Sequence, residues 1–207
     1  MSQDKEIRII LVRHGEPIQH RGKIFLGQTD IALSEKGIEE AKSAGQKLLE
    51  MDVIAEYIYT SDLLRAFETA NIISEALGDT PVIKDKLFRE MNMGSWDGEF
   101  IEEIKTKFPE EYLKRGEDII NYRMPGGENF YDLKGRVTRE MWRLLTGDFA
   151  ESYAKGKSKD FVLVAHLGVM KSIVAELSLE SEEAVWGDFY HTGSIKVLKA
   201  PEWMVIK

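Results

Sequence analysis

The strongest constraint on this chain is a pair of apolar runs rich in β-branched residues, at positions 7–12, broken only by Arg8, and at 161–165. A strand with one wet face alternates polar and apolar residues, whereas a strand covered on both faces is apolar throughout. Two such strands separated by helical patterns predict a parallel sheet between two helix layers. Both runs end the same way. The first leads straight into Arg13-His14-Gly15-Glu16 and the second into His166. Ligands of open α/β sheets gather beyond the carboxyl ends of the strands, so two of the four histidines fall where chemistry is expected.

The remaining pattern fills that frame. Ser34 is placed to cap a helix reaching Glu50, with Ile38, Ala41, Leu48 and Leu49 predicted on its buried side. Residues 56–60 predict a second strand. A helix starting at Ser61 or Asp62 follows, carrying Ala66, Ala70, Ile73 and Leu77 and stopping at Gly78. Residues 81–83 predict a third strand. Farther on, a helix over 100–108 is expected to end at Pro109. The turn Pro125-Gly126-Gly127 precedes a long amphipathic helix through Phe130, Leu133, Val137, Met141 and Leu144. A charged loop at 155–159, a helix over 169–177 and late strands at 194–198 and 203–206 complete the reading. The expected architecture is a single three-layer α/β domain over residues 1–207, with a mostly parallel central sheet flanked by helices and a helical cap insertion around residues 90–150.

Composition narrows the function classes. Hydrophobic residues make up 43% and charged residues 31% of the chain, the balance of a soluble globular protein. A formal net charge of -8 argues against nucleic acid or an anionic membrane as partner. No apolar stretch has the length of a membrane span or the form of a signal peptide, so a cytoplasmic location is expected. The absence of cysteine excludes disulfides, thiolate catalysis and cysteine-ligated metals. An edge strand at 195–198 leaves oligomerisation open.

Arg65, in the first turn of the helix after the second strand, joins Arg13, His14 and His166 at the strand ends, and the four could converge on one anion. A phosphoryl group suits them. Arginine offers a fork matching two phosphate oxygens, and helix N-termini add amides. A neutral imidazole is a competent nucleophile, and a second one can donate to the oxygens gathering charge in the transition state. The leaving alkoxide needs a proton, for which Glu90, just past the third strand, is the best-placed carboxyl group. No metal and no cofactor is called for, since arginines and histidines supply the positive charge that magnesium supplies elsewhere. Taken singly, each residue also fits a structural role. In the cap, Phe100, Phe108, Tyr112, Tyr122, Met124 and Phe130 either line a leaving-group pocket or pack a small helical unit. Lys114, Arg115 and Arg123 read as a solvated charged face that could meet a second anion.

An ordered series of motifs now bears on these roles. Leu11-Val12-Arg13-His14-Gly15-Glu16 is followed by Gly27-Gln28-Thr29-Asp30, Leu33-Ser34-Glu35-Lys36-Gly37 and Ser61-Asp62-Leu63-Leu64-Arg65-Ala66-Phe67-Glu68-Thr69-Ala70. Then come Arg89-Glu90-Met91-Asn92-Met93-Gly94-Ser95-Trp96-Asp97-Gly98, Pro125-Gly126-Gly127-Glu128 and Val164-Ala165-His166-Leu167-Gly168. The series resembles the histidine phosphatase superfamily, the phosphoglycerate mutase-like proteins, over nearly the whole chain. The resemblance implies that His14 is phosphorylated, Arg13 and Arg65 clamp the phosphoryl oxygens, His166 stabilises the transferring group, and Glu90 is proton donor and later base. It places His20, Gln28 and Leu167 among the substrate contacts. Three positions depart from the family pattern: Pro17 where threonine is usual, His20 where asparagine is common, and Leu167 where glycine is familiar. The implied partners are a small-molecule phosphate ester and inorganic phosphate as product. Glu90 and His166 stand 76 positions apart, a compact spacing that resembles small bacterial phosphatases, including alpha-ribazole phosphatase of cobalamin biosynthesis. A cofactor-dependent phosphoglycerate mutase and a catalytically weak phosphate- or phosphoprotein-binding module are the alternatives.

Overall fold

The computed structural model describes residues 7–18, 22–178, 180–187 and 190–201. Its elements run β1 (Arg8–Arg13), α1 (Glu35–Glu50), β2 (Ile58–Thr60), α2 (Leu64–Ala76), β3 (Val82–Lys84), α3 (Ile101–Lys107), α4 (Pro109–Glu117), α5 (Phe130–Thr146), α6 (Asp148–Ala154), β4 (Asp160–Ala165), α7 (Leu167–Ser178), α8 (Glu182–Gly187) and β5 (Ile195–Lys199). The sheet order is β3-β2-β4-β1-β5. The first four of these strands are parallel and β5 runs antiparallel to β1.

The apolar runs are central strands for the reason their composition suggests. Alternate residues of β1 and β4 feed opposite cores. Ile9, Leu11, Phe161 and Leu163 pack with Leu133, Val137 and Met141 of α5 and Val169 and Ile173 of α7. Ile10, Val12, Val162 and Val164 pack with Ala44 and Leu48 of α1 and Ala70 and Ile73 of α2. This gives the three-layer α/β domain, with helical insertions between β3 and β4. Phe25, Trp96, Ile104 and Met124 form a smaller cluster beneath α3 and α4. Among the described residues no helix is long and apolar enough to cross a membrane.

Several local expectations need correction. The buried stripe of α1 is Gly37, Ala41, Ala44, Gly45 and Leu48, while Ile38 and Leu49 are exposed. Gly45 packs so close to α2 that a Cβ there would lie 2.8 Å from that of Ala76, and a stripe of small residues permits the approach. The second helix begins at Leu64, because the Asp62 side chain is committed to Arg89 at 2.7 Å. Pro109 does more than end α3: it opens α4 from the first helical position, where its missing N–H costs nothing. Helix α7 starts at Leu167, directly after His166. The short helices α6 and α8 were not expected; each buries too few apolar side chains to leave a periodic trace. The predicted strand at 203–206 lies outside the described residues.

Candidate active site

Strand register alone brings the two histidines together. Arg13 of β1 lies opposite Ala165 of β4, so His14 and His166 emerge side by side, and the His14 amide donates to the Ala165 carbonyl at 2.9 Å. Their ring centroids are 5.1 Å apart and both side chains are buried. His14 Nδ1 lies 2.7 Å from the Gly15 carbonyl oxygen. A carbonyl only accepts, so Nδ1 carries the proton and Nε2 keeps its lone pair. Burial first, then the charges of Arg65 and Arg13, hold the His14 pKa well below 6.5 against the opposing pull of the Gly15 carbonyl. The same causes, with His14 and Arg136 added, lower that of His166. Both rings are neutral at pH 7, and neither nitrogen of His166 has a hydrogen-bond partner among the described residues. A ligand bringing oxygens would fill that deficit.

The turn behind His14 is built on contact that only glycine allows. A Cβ on Gly15 would sit 2.2 Å from the Gly37 carbonyl oxygen, and one on Gly37 would sit 2.1 Å from that of Glu16. The Gly15 amide donates to Thr69 Oγ1 at 3.0 Å, and that hydroxyl donates to the Arg65 carbonyl at 2.7 Å. Gly37 in the first turn of α1 and Thr69 of α2 thus fix the loop that carries His14 from two sides.

Arg65 is buried, and its Nη1 and Nη2 donate to the carbonyls of Thr29 and Gly27 at 2.9 and 2.7 Å. Burial pulls its pKa down to about 10. The loop that receives it is gathered by Asp97, whose carboxylate accepts the amides of Gly27, Gln28 and Thr29 at 3.1, 2.6 and 3.2 Å and the Thr29 hydroxyl at 2.8 Å. Arg13 donates to the Tyr190 carbonyl; burial lowers its pKa, with Glu90 and Glu40 offsetting in part. The Nε atoms of Arg13 and Arg65 are buried without a partner among the described residues.

Glu90 follows a single 3₁₀ turn at Lys86–Phe88. Its Oε1 accepts the Met91 amide at 2.7 Å and its Oε2 the Gly168 amide at 3.1 Å, which aims the carboxyl group at the start of α7. Arg136 of α5 holds this segment from behind. Its guanidinium donates to the carbonyls of Leu87, Arg89 and Glu90 at 2.7, 2.8 and 2.9 Å and pairs with both oxygens of Glu128 at 2.7 and 2.9 Å. Glu128 also accepts the Asn92 amide at 2.9 Å.

Among the sequence candidates, Arg13, Glu90 and Leu167 line one cavity of about 200 Å³ with Leu26, Met93, Met124, Arg115 and Trp186. His14 and His166 are chain neighbours of the lining residues Arg13 and Leu167 but are not themselves in the lining, and the charge of Arg65 reaches both rings. Gln28 spends its side-chain amide on the Glu90 carbonyl at 3.1 Å, so it braces that residue. His20 lies outside the described residues. Of the apolar cap residues, Met124 reaches the cavity, Tyr112 and Tyr122 pack in the small cluster, Phe130 belongs to the main core, and Phe108 is exposed. Lys114 and Arg123 are surface residues paired with Glu111 and Asp132. Arg115 is not on that solvated face. It lies over the Phe25 ring, 5.2 Å from its centroid, at the cavity wall. Sequence reasoning assigned no role to Asp97, Glu128, Thr69 or Arg136. The first three sit inside the quoted motifs, which was the available signal, whereas Arg136 is one charge among many on a helix. A larger cavity, about 320 Å³, opens where β2 and β4 begin, and neither histidine nor arginine lines it.

Residues 9–203 match the model of a protein family described as the histidine phosphatase superfamily, branch 1. The chain belongs to that superfamily. It is 32% identical to phosphoglycerate mutase-like protein 4 of Arabidopsis thaliana over 166 residues, 80% of this chain and 68% of the plant protein. It is 31% identical to the 2,3-bisphosphoglycerate-dependent phosphoglycerate mutase 2 of Gloeobacter violaceus, over 86% of this chain and 78% of that one. Among solved structures it is similar to a candidate alpha-ribazole-5′-P phosphatase of Escherichia coli, with a TM-score of 0.80 and 25% identity over 95% of this chain and 92% of that one. The histidine phosphatase match takes in β1 from its second residue, the other four strands, and the segments that carry His14, Arg65, Glu90 and His166.

Proposed function

We propose that this histidine phosphatase superfamily member is a phosphomonoesterase acting on a small organic phosphate ester through a phosphohistidine at His14. The observation that carries the reading is the Nδ1–H bond to the Gly15 carbonyl, which leaves Nε2 unprotonated and buried among positive charges. In the first step Nε2 attacks phosphorus, a P–N bond forms and the ester P–O bond breaks. Glu90, in its acid form, gives its proton to the departing oxygen. Arg13, Arg65 and His166 donate to the three phosphoryl oxygens as their charge grows. In the second step Glu90 takes a proton from water, the oxygen displaces Nε2, and inorganic phosphate leaves. Every atom returns to its starting state.

Rapid acid or base quenching with a phosphorus-labelled substrate tests this directly. Label is expected on His14, acid-labile and base-stable, and His14→Ala is expected to lose both label and turnover. Full turnover in that variant would refute the mechanism. The names of the plant and Gloeobacter relatives support a second reading, a phosphoglycerate mutase. The Gloeobacter protein is longer, this chain covering 78% of it, and the short span from Glu90 to His166 supports hydrolysis instead. Isomerisation of phosphoglycerate that depends on its bisphosphorylated cofactor would establish the mutase; phosphate binding without turnover would establish a binding module. A panel of alpha-ribazole phosphate, phosphoglycerates, sugar phosphates and phosphopeptides assigns the natural ester.

A further inference from the structure

The carboxyl group of Glu90 stands on a stretch of chain that no helix or strand holds. Residues 89–93 lie between two 3₁₀ turns, Lys86–Phe88 and Gly94–Trp96, and belong to no regular element. Backbone groups on such a stretch must find partners among side chains or water. Here one arginine and one carboxylate supply most of them.

A guanidinium has five N–H groups, and Arg136 uses every one. Nη1 donates to the Leu87 and Arg89 carbonyls, Nη2 to the Glu90 carbonyl and Glu128 Oε2, and Nε to Glu128 Oε1. The planar fork thus fixes the chain just before Glu90 and at it. Glu128 fixes it just after, accepting the Asn92 amide and donating its own amide to the Asn92 carbonyl, both at 2.9 Å. The two side chains are only 17% and 19% exposed, and neither lines the cavity that Glu90 faces. A buried ion pair is weak evidence of stabilisation, because apolar residues of like volume often serve the fold as well. What apolar residues cannot do is set the spacing of three carbonyl oxygens. The charge of Arg136 also reaches His166, whose pKa is lowered by burial first and by Arg136 least among its four charged or ring neighbours.

We infer that Arg136, clasped by Glu128, is a positioning residue for the proton donor: it touches no substrate and sets where the Glu90 carboxyl group stands relative to the start of α7. The inference rests on the role of Glu90 in the phosphoryl site proposed above and deepens it by naming what holds that group in place.

Arg136→Lys is the first test variant. Lysine offers three donors on a point charge, so the charge beside Glu128 stays while at least two of the five bonds are lost. Glu128→Gln, which leaves the three carbonyl contacts of Arg136 in place, gives the same readings should the first variant not fold. Values of kcat and KM for glycerol 3-phosphate are measured in the parent protein, in each variant, and in each variant combined with Glu90→Gln. In Arg136→Lys kcat is expected to fall about 10- to 100-fold, the order of loss for a misplacement of about 1 Å, with KM nearly unchanged. In the Glu90→Gln background the same change should cost less than about threefold, the non-additivity of residues that act as a unit. No loss, or a loss by the same factor in both backgrounds, overturns the inference; the latter is also what action through His166 would give. A second readout needs no turnover. The Gly168 amide lies in the first turn of α7, where it has no partner within the helix, and it donates to Glu90. Its exchange with solvent, followed by NMR, should quicken about tenfold in Arg136→Lys, the worth of one hydrogen bond, while amides at the centre of β4 keep their rates. Unchanged exchange at Gly168 overturns the inference, and so does equal quickening throughout, which would mark Arg136 as a residue of the fold alone. A parent protein that hydrolyses no ester refutes the phosphomonoesterase reading, and exchange at Gly168 then still decides whether Arg136 places Glu90.

Discussion

Gly168→Ala offers a way to move Glu90 without changing it. The added Cβ would lie 2.3 Å from Glu90 Oε1 and 2.8 Å from Leu133 Cδ2, against about 3.4–4 Å for ordinary contact. The helix itself accepts alanine, so the carboxyl group must retreat by about 1 Å and surrender its 3.1 Å bond from the Gly168 amide. A displacement of about 1 Å in a reacting group can cost on the order of 100-fold, and positioned general acids contribute about 10²–10⁴-fold. The loss should therefore depend on how much the leaving group needs a proton. For alkyl phosphates, kcat/KM is expected to fall about 100-fold; for nitrophenyl phosphate, whose leaving group departs unaided, less than about tenfold. The assay is kcat/KM across esters of graded leaving-group basicity, where the variant should show a steeper dependence than the parent protein. Relief of the Leu133 contact costs about 1–3 kcal/mol, roughly 2–12 °C in Tm for a chain of this size, so thermal denaturation verifies that the variant is folded at the assay temperature. An equal loss for all esters, or none, would refute the assignment of Glu90 as the proton donor.

Other expectations follow from the same geometry. His14 and His166 are held neutral in the fold, so below pH 6.5 the unfolded chain binds more protons than the folded one. Stability is full above that pH and is lost as pH falls toward their folded values, at up to about 1.4 kcal/mol per pH unit for each ring. Urea midpoints between pH 5 and 7 should show the decline, and a variant with both histidines replaced by asparagine should show a flatter one. The acid limb of kcat/KM should likewise lie below pH 6.5; a limb centred at 6.5 would mean that His14 is not held neutral by its surroundings. Asp97→Ala releases four hydrogen bonds and with them the carbonyls that hold Arg65. It should cost about 2–4 kcal/mol of stability and lower kcat/KM for good and poor leaving groups alike, a pattern opposite to that of Gly168→Ala in one set of rate measurements.

The layer architecture was legible because burial writes itself into composition: a strand covered on both sides has no polar residue to spend, and β1 and β4 have none between their ends. The helices that pack broadly on the sheet, α2 and α5, kept their predicted faces for the same reason. The face of α1 was misread because the contact with α2 is made through Gly45 and Ala44, and close approach of backbones favours small residues over the large ones that a hydrophobic pattern weights. Arg115 was misread for a complementary reason. Its neighbours in sequence are charged and exposed, and only the fold sets Phe25 beneath its guanidinium.

Local sequence determined which chemical groups stand at the strand ends, since the chain direction of a buried strand fixes which residue follows it into the open. It could not determine how those groups are held. His14 meets His166 through the register of β1 against β4, Glu90 is aimed by an amide 78 positions away, and Arg65 is held by a loop that Asp97 closes from 70 positions farther on. These are relations between segments distant in sequence, and a hydrogen bond depends on distance and angle, which exist only once the chain has folded.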